Sequence, residues 1–158
     1  MKKQQAIIDT PLGSAILEGC EKGVSGFRLT GKHAKPTSLP SCLEEAARQI
    51  HEYFRGERKT FTLNLNPEGT PFQQSVWQAL TEIPFGSTLS YSHLSRSLGN
   101  MKAIRAVASA NGRNPIWIII PCHRVIGSDG SLTGYAGGLQ VKQWLLEHEQ
   151  PVKQQRLF

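Results

Sequence analysis

The stretch Ile118–Gly127 reads IIIPCHRVIG, so three isoleucines and a proline run directly into a cysteine, a histidine and an arginine. A cysteine that serves only as a small buried hydrophobe needs no such neighbours. The run Ile116–Ile120 is apolar and largely β-branched, which favours a buried extended segment. Pro121 lacks a backbone donor and excludes helical geometry from the residue before it, so it ends that segment. We therefore expect Cys122 where a buried segment ends and the chain turns.

The residues around Cys122 indicate a reactive thiol. A free cysteine has a pKa of about 8.5, so nucleophilic chemistry near neutral pH needs a base or a positive charge close by. His123 is adjacent, but consecutive side chains of an extended chain point to opposite sides, so contact requires a turn or a bridging water. A histidine that acts as a base is usually oriented by a carboxylate. Glu147 and Glu149, in a helix predicted over residues 138–149, are the candidates.

Toward the N-terminus, the sequence predicts a mostly helical region. One helix begins at Thr70-Pro71 and ends before Pro84, and two more are predicted over residues 92–98 and 101–111. The last two flank Gly99-Asn100 and form a helix-turn-helix candidate. Basic side chains meet phosphates, and small residues let a helix lie close to another surface. The last helix has one surface that carries both basic and small residues. It consists of Lys102, Arg105, Ala106, Ser109 and Arg113. Packing of this surface against another part of the protein is the alternative.

The first third of the chain predicts an α/β domain. Short apolar runs at residues 6–8, 14–18 and 24–29 are separated by Gly and Pro, which is typical of an antiparallel meander. Ser41 and Glu44 have the spacing of a helix cap, and residues 59–65 alternate like a further strand. Composition changes at the NPEG segment that follows. We therefore predict two domains, residues 1–66 and 67–158.

Bulk composition restricts the class of protein. The 158-residue chain carries a net charge of +6, which favours a polyanionic partner such as nucleic acid. No stretch approaches the roughly 20 apolar residues of a membrane span, and the N-terminus lacks the apolar region of a secretory signal. We expect a soluble, cytoplasmic protein with no membrane partner. Its three cysteines have no paired spacing, which argues against a disulfide framework or a zinc clip.

The PCHRVIG motif resembles the active-site signature of the 6-O-alkylguanine-DNA alkyltransferases, which are single-use DNA repair proteins. The resemblance continues in register along essentially the whole chain, through DTPLG, YFRGE, TPFQQSVWQALTEIPFGSTLSY, NPIWIIIPCHRVIG and GYAGGLQVKQWLLEHE. It implies a ribonuclease H-like N-terminal α/β domain, with a small antiparallel sheet plus a helix. A mostly helical domain with a winged helix-turn-helix-like DNA-binding motif would follow.

The resemblance also implies the reaction. The alkyl group of 6-O-alkylguanine, with 4-O-alkylthymine as a second candidate substrate, would pass irreversibly to the protein's own cysteine, once per molecule and without a cofactor. The damaged nucleotide is stacked in the duplex and must be flipped out, at a cost of a few kcal/mol. The implied partner is double-stranded DNA approached through the minor groove. The protein would act as a monomer on nucleoid or nuclear DNA.

Catalytic roles follow from the same resemblance. Cys122 would accept the alkyl group, and His123 would remove the thiol proton through a water. Glu149 would orient His123, and Asn114 would brace the turn around the site.

The base-binding roles are also implied by the resemblance. Tyr91 would assist flipping and donate a hydrogen bond to the guanine ring, and Arg105 would fill the gap left in the duplex. Tyr135 would form a pocket wall, with the Ala136 amide near the guanine oxygen. The carbonyls of Cys122 and Val125 would accept from the exocyclic amine.

Trp117 is bulkier than the residues usual at its place in the family pattern. It is either a core aromatic or a residue that narrows the pocket mouth and disfavours bulky alkyl groups. No metal site is predicted, because Cys20, His33 and Cys42 are too loosely arranged to form a ligand set.

Three other functions remain to be weighed. A non-catalytic lesion-binding protein is one, although relatives that only bind carry tryptophan in place of the nucleophile, whereas this chain has Cys122. A Cys-His-Glu hydrolase would use similar residues but turn over many times. A plain DNA-binding regulator fits the helix-turn-helix and the charge but leaves the PCHR site unexplained.

Overall fold

The computed structural model describes residues 2–99 and 103–150. Contacts divide the chain into two compact units, and the segment that precedes the cysteine belongs to the first of them. The first unit comprises Met1–Gly69 and Pro115–Ile119, and the second comprises Thr70–Asn114 and Ile120–Phe158.

The first unit is built on the predicted antiparallel meander. Its three strands, in sheet order, are β1 (Gln4–Thr10), β2 (Gly13–Cys20) and β3 (Gly23–Leu29). Gly23 adopts φ +139°, and a Cβ at this position would lie 2.6 Å from the Asn64 carbonyl oxygen. The side chains on the buried face alternate along each strand, as expected for a sheet with one covered face. They are Ala6, Ile8, Ala15, Leu17, Phe27 and Leu29.

Helix α1 (Glu44–Phe54) supplies the other half of this core through Ala46, Ala47, Ile50 and Tyr53. The predicted cap by Ser41 is wrong. The backbone itself closes a 3-10 turn over Ser41–Leu43, in which the Leu43 N–H donates to the Pro40 carbonyl, and the α-helix begins only afterwards.

The strand predicted for residues 59–65 is also wrong, because only Leu65 forms a bridge, parallel to Val24. The alternation of residue types is present, but the backbone finds other partners. Thr62 donates its N–H to the Gln49 side chain at 2.9 Å, and the Gln49 amide returns a bond to the Thr62 hydroxyl at 3.0 Å. A buried glutamine therefore replaces a neighbouring strand.

The second unit is mostly helical, as the sequence predicts. Its helices are α2 (Pro71–Leu80), α3 (Tyr91–Ser97), α4 (Ile104–Gly112) and α5 (Leu139–His148). A short parallel pair, β4 (Leu89–Ser90) and β5 (Val125–Ile126), completes it. Helix α2 begins with a capping box between Thr70 and Gln73, and Trp77 donates its indole N–H to the Ala110 carbonyl at 2.8 Å. Within the described residues, no helix combines the length and the apolar character of a membrane span.

Candidate active site

The segment before the cysteine is largely buried and begins extended, with Ile116 in a parallel bridge to Phe27, but a turn at Ile118 and Ile119 interrupts it, which corrects part of the prediction for residues 116–120. The Ile119 N–H donates to the Trp117 carbonyl at 2.7 Å, which closes a three-residue turn with Ile118 at its centre. Ile118 has φ +72°, a conformation that is rare and strained for a β-branched residue. Such strain persists only where the surrounding packing imposes it, and Ile118 is 1% exposed.

A second tight turn follows and places the cysteine. The Cys122 N–H donates to the Ile120 carbonyl at 2.8 Å across Pro121, whose φ of −81° and ψ of 64° are those of an inverse γ-turn. A 3-10 turn over Cys122–Arg124 begins there. The Asn114 side chain braces this geometry by donating to the Ile120 carbonyl at 2.7 Å. Cys122 therefore lies at the start of a turn, as expected.

The Cys122 thiol is buried, with 4% of the residue exposed. Burial raises the pKa of this thiol to about 11, although a hydrogen bond from Asn114 and the charge of Lys142 act in the opposite direction. The side chain is consequently a neutral thiol near pH 7, and it needs a base before it can act as a nucleophile.

His123 and Glu149 form a buried pair. The His123 Nε2 and Glu149 Oε2 atoms lie 2.8 Å apart, and both side chains are almost fully buried. Burial lowers the pKa of His123, which therefore stays neutral near pH 7. For Glu149 burial alone raises the pKa, but hydrogen bonds from His123 and Arg124 outweigh it and lower the pKa to about 2.

The protonation of this pair follows from its partners. An ionised carboxylate only accepts hydrogen bonds, so the neutral imidazole carries its proton on Nε2 and donates it to Glu149. The other ring nitrogen of His123, Nδ1, then has a free lone pair. It is buried and has no hydrogen-bond partner in residues 2–99 and 103–150. His123 is thus held in the tautomer that can take up a proton at Nδ1.

Arg124 completes the cluster, although the sequence analysis did not assign it to the site. It donates Nε to Glu149 Oε1 at 2.8 Å and a terminal nitrogen to Oε2 at 3.0 Å. It also donates to the Ile83 carbonyl at 2.7 Å and lies 5.8 Å from the centre of the Phe85 ring. A buried carboxylate is stable only when paired and hydrogen-bonded, and Arg124 supplies both. Its position directly after Cys122-His123 was the available signal.

Lys142 is the second residue that the sequence analysis missed. It is completely buried on α5, and its ammonium group donates to the carbonyls of Val125 at 2.6 Å, Thr133 at 2.7 Å and Gly134 at 3.4 Å. Burial lowers its pKa. The spacing of Lys142, Leu145 and Glu149 places all three on one helix face, so a lysine in step with a buried leucine was the signal.

A cavity of about 540 Å³ lies in the second unit, lined by residues of α3, of α4 and of the loop segment 133–136. Four residues predicted to contact the substrate or DNA meet there: Tyr91, Arg105, Tyr135 and Ala136. The full lining consists of Tyr91, Ile104, Arg105, Ala108, Gly112, Thr133, Gly134, Tyr135 and Ala136. The volume is within the range of small-molecule sites in proteins.

The cavity is linked to the cysteine through Asn111. The Asn111 Nδ2 atom lies 3.1 Å from the hydroxyl of Tyr91, which lines the cavity. The same atom lies 3.5 Å from the Cys122 carbonyl oxygen. Burial raises the pKa of Tyr91 and raises that of Tyr135 well above its usual range, so both hydroxyls stay protonated.

The exposed surface of α4 carries the other predicted DNA contacts. Arg105, Ala106, Ser109 and Arg113 are all exposed, and Val107, Ala110 and Asn111 form the buried side. Ile104 and Ala108 are half-buried and line the cavity. Lys102 lies outside the described residues.

Two predicted substrate contacts are not among the residues that line the cavity. Val125 is buried, with its carbonyl bound to Lys142. Trp117 belongs to the first unit, where it is half-buried and its N–H donates to the Phe27 carbonyl at 2.8 Å.

Two family models match the chain in succession. The model for the ribonuclease-like domain of 6-O-methylguanine DNA methyltransferase matches residues 4–67. The model for the DNA-binding domain of 6-O-methylguanine DNA methyltransferase matches residues 71–151.

Individual proteins are similar over nearly the same length. A methylated-DNA–protein-cysteine methyltransferase of Methanosarcina barkeri is 51% identical over 152 residues, which cover 91% of this chain and 95% of that protein. The constitutive methylated-DNA–protein-cysteine methyltransferase of Bacillus subtilis is 45% identical, covering 89% of this chain and 92% of that protein. The chain in the crystal structure of Mycobacterium tuberculosis OGT in complex with DNA is 43% identical in sequence to this one. The two structures match with a TM-score of 0.81 over 90% of each chain.

Proposed function

The chain belongs to the 6-O-methylguanine DNA methyltransferase family, and we propose that it repairs DNA by transferring the alkyl group of 6-O-alkylguanine to Cys122. One observation carries the proposal. A buried thiol is followed by a histidine whose Nε2 is bound to an ionised glutamate and whose buried Nδ1 has no partner within the described residues. This arrangement fits the removal of one proton from Cys122.

The reaction begins with that proton. The thiol proton of Cys122 passes through a bridging water to His123 Nδ1, and Glu149 stabilises the imidazolium that forms. The thiolate attacks the alkyl carbon in line with the bond to the guanine 6-oxygen. A carbon–sulfur bond forms, the carbon–oxygen bond breaks, and its electron pair leaves with guanine, which takes up a proton. The thioether product is stable, so each molecule acts once. The same displacement extends to 4-O-alkylthymine.

The high pKa of Cys122, about 11, gives this chemistry its selectivity. A neutral buried thiol reacts poorly with alkylating agents in solution, because the thiolate is the nucleophile. Proton removal is productive only when an alkylated base occupies the site and the leaving group is in place.

The cavity holds the flipped base. Tyr91 donates a hydrogen bond to the guanine ring, Tyr135 forms a wall, and the Ala136 amide lies near the guanine oxygen. The carbonyls of Cys122 and Val125 accept from the exocyclic amine. The joint presence of Tyr91, Tyr135 and Ala136 in one cavity supports this assignment.

DNA is bound through the exposed surface of α4. Ala106 and Ser109 permit a close approach to the minor groove, and Arg113 and Lys102 contact phosphates. Arg105 occupies the space that the flipped nucleotide leaves, and its position on the cavity rim supports that role. The protein acts as a monomer in the compartment that holds its DNA substrate, the cytoplasm with its nucleoid, or the nucleus.

The domains divide the work. We assign DNA binding and alkyl transfer to the predicted domain of residues 67–158, of which residues 115–119 belong to the first compact unit, and residues 1–66 form the predicted N-terminal domain. We further propose that the bulk of Trp117 disfavours bulky alkyl groups, the alternative being a core aromatic without a role in transfer. Equal ratios of benzyl to methyl transfer rates in wild type and Trp117→Ala would contradict this role.

The function is tested by mixing the protein with a duplex that carries one 6-O-methylguanine. We expect methyl loss from DNA to stop at one equivalent per protein, while the intact protein gains the mass of one methylene group. Continued turnover without a mass change would identify a hydrolase. Tight binding of the modified duplex without methyl loss would identify a lesion-binding protein.

A further inference from the structure

Asn111 is a buried polar residue to which neither the sequence pattern nor the reaction assigns a role. It lies on the inner side of α4 with 3% of its surface exposed. Its amide touches two groups that contact the flipped base, the Tyr91 hydroxyl and the Cys122 carbonyl. Resting on the function proposed above, we infer that Asn111 is a positioning residue that directs the Tyr91 proton toward the guanine ring.

The orientation of the Asn111 amide follows from the Cys122 carbonyl. A carbonyl oxygen only accepts, so the amide nitrogen rather than the amide oxygen must face it, here at a long 3.5 Å. The same nitrogen lies 3.1 Å from the Tyr91 oxygen. Because this nitrogen is a donor only, the Tyr91 oxygen must accept from it. The Cys122 carbonyl thereby fixes the orientation of the Asn111 amide. The amide in turn fixes the Tyr91 oxygen as a hydrogen-bond acceptor.

The Tyr91 proton must therefore point away from Asn111. A phenol has one proton and can both donate and accept. The Thr133 side chain acts to lower the pKa of Tyr91, and a threonine hydroxyl can rotate its own proton to suit a neighbour. Tyr91 and Thr133 both line the 540 Å³ cavity. A base that enters this cavity and presents a ring nitrogen thus meets a tyrosine whose oxygen is already occupied and whose proton is available.

The cost of retaining Asn111 supports a functional role. Its Oδ1 atom is buried and has no partner among the described residues. A buried acceptor without a partner is destabilising, and a leucine of similar size would avoid that cost. Fixed donors that need no reorganisation during the reaction are the groups that stabilise a developing negative charge on a leaving base.

A double-mutant cycle tests the inference. The variants are Asn111→Leu, Tyr91→Phe and the double variant, and the readout is the single-turnover methyl transfer rate at saturating duplex. We expect Asn111→Leu to slow transfer about ten-fold in the wild-type background, as for one lost hydrogen bond, and less than about two-fold in the Tyr91→Phe background. The Kd for DNA should change little. Ser95→Ala, which removes another buried group without a described partner, is the matched control.

Asn111→Asp gives a second readout that a structural role would not produce. An ionised carboxylate accepts the Tyr91 proton and turns it away from the base, so transfer should be slow at neutral pH. Protonation of this carboxyl restores a donor, so the rate relative to wild type should recover as the pH falls. Equal losses from Asn111→Leu in both tyrosine backgrounds, or an Asn111→Asp defect independent of pH, would overturn the inference. Absence of transfer by wild type would instead overturn the proposed function.

Discussion

The protein holds cysteines in two very different settings. In the first unit, Cys20 and Cys42 line a cavity of about 420 Å³, where Cys20 accepts from the backbone N–H of Lys22 and Cys42 lies 3.8 Å from the Gln4 amide nitrogen. The described lining of that cavity contains no histidine and no cationic side chain. In the second unit, Cys122 is buried in a tight turn with Asn114, His123 and Lys142 around it.

The difference shows what makes a thiol useful for a single transfer. Space beside a sulfur atom admits reagents, but it provides neither a base nor a fixed direction of attack. The Cys122 site differs in its neighbours, since its thiol lies in a tight turn directly before a histidine whose ring is oriented by Glu149. On the proposed function, we therefore expect the reactivity of Cys122 to depend on its relay with His123 and Glu149 and on the bound substrate, and not on exposure of the thiol.

The largest effect should come from removing the carboxylate that anchors the relay. Glu149→Gln leaves the buried Arg124 without its counter-ion and weakens the orientation of His123. We expect the transfer rate to fall at least about 100-fold and the free energy of unfolding to fall by about 3–5 kcal/mol. Single-turnover kinetics and urea denaturation measure the two effects.

Glu147→Gln is the matched control for that variant. Glu147 is exposed on α5, and among the described contacts its side chain accepts only from Gln143. Its replacement changes the net charge equally and should alter stability by no more than about 0.5 kcal/mol. Similar rate losses in both variants would show that charge, and not the buried relay, is responsible.

A smaller effect is expected from Lys142→Met, which keeps the length of the side chain and removes its charge. The carbonyls of Val125, Thr133 and Gly134 lose their shared donor, and the thiol of Cys122 loses a nearby positive charge. We expect transfer to slow by about ten-fold, the equivalent of one pKa unit at the thiol. Gln140→Met, at an exposed position of α5, should leave the rate unchanged, and an equal loss there would contradict the assignment.

The pH dependence of stability sharpens the same contrast with a smaller effect. The folded protein holds Glu149 at a pKa of about 2, below its ordinary value of 4.5, so the unfolded chain takes up a proton first as the pH falls. The stabilisation from this carboxylate is therefore complete above about pH 4.5 and is lost progressively toward pH 2. Urea midpoints at several acidic pH values should fall less steeply for Glu149→Gln than for wild type. Parallel curves would show that Glu149 is not the titrating group.

Local patterns were sufficient to predict most of the fold. Hydrophobic alternation and turn residues identified the meander of β1, β2 and β3, and helical spacing identified α2 to α5 within a few residues. The failed strand at residues 59–65 depends on a partner distant in sequence. Residues 59–65 alternate like a strand, but Leu65 alone bridges to β3, and the side chain of Gln49 supplies the partner of the Thr62 backbone N–H.

The residues of the candidate site could be predicted where they are consecutive in the sequence. They could not be predicted where their role depends on burial. Cys122 and His123 are adjacent in the sequence, and Glu149 was one of two nearby carboxylates. Lys142 looks like an ordinary polar position of an amphipathic helix until the carbonyls around it are known. The positive φ of Ile118 is equally invisible, because nothing in a run of isoleucines indicates that packing forces one of them into a strained turn.

The central claim is tested most directly by mapping the methyl group onto cysteine peptides. After reaction with a duplex carrying one 6-O-methylguanine, the protein is digested and the peptides with Cys20, Cys42 and Cys122 are weighed. We expect the added methyl only on the peptide with Cys122, at no more than one per protein. Methyl groups on the peptides of Cys20 or Cys42, or complete repair of the duplex without modification of Cys122, would contradict it.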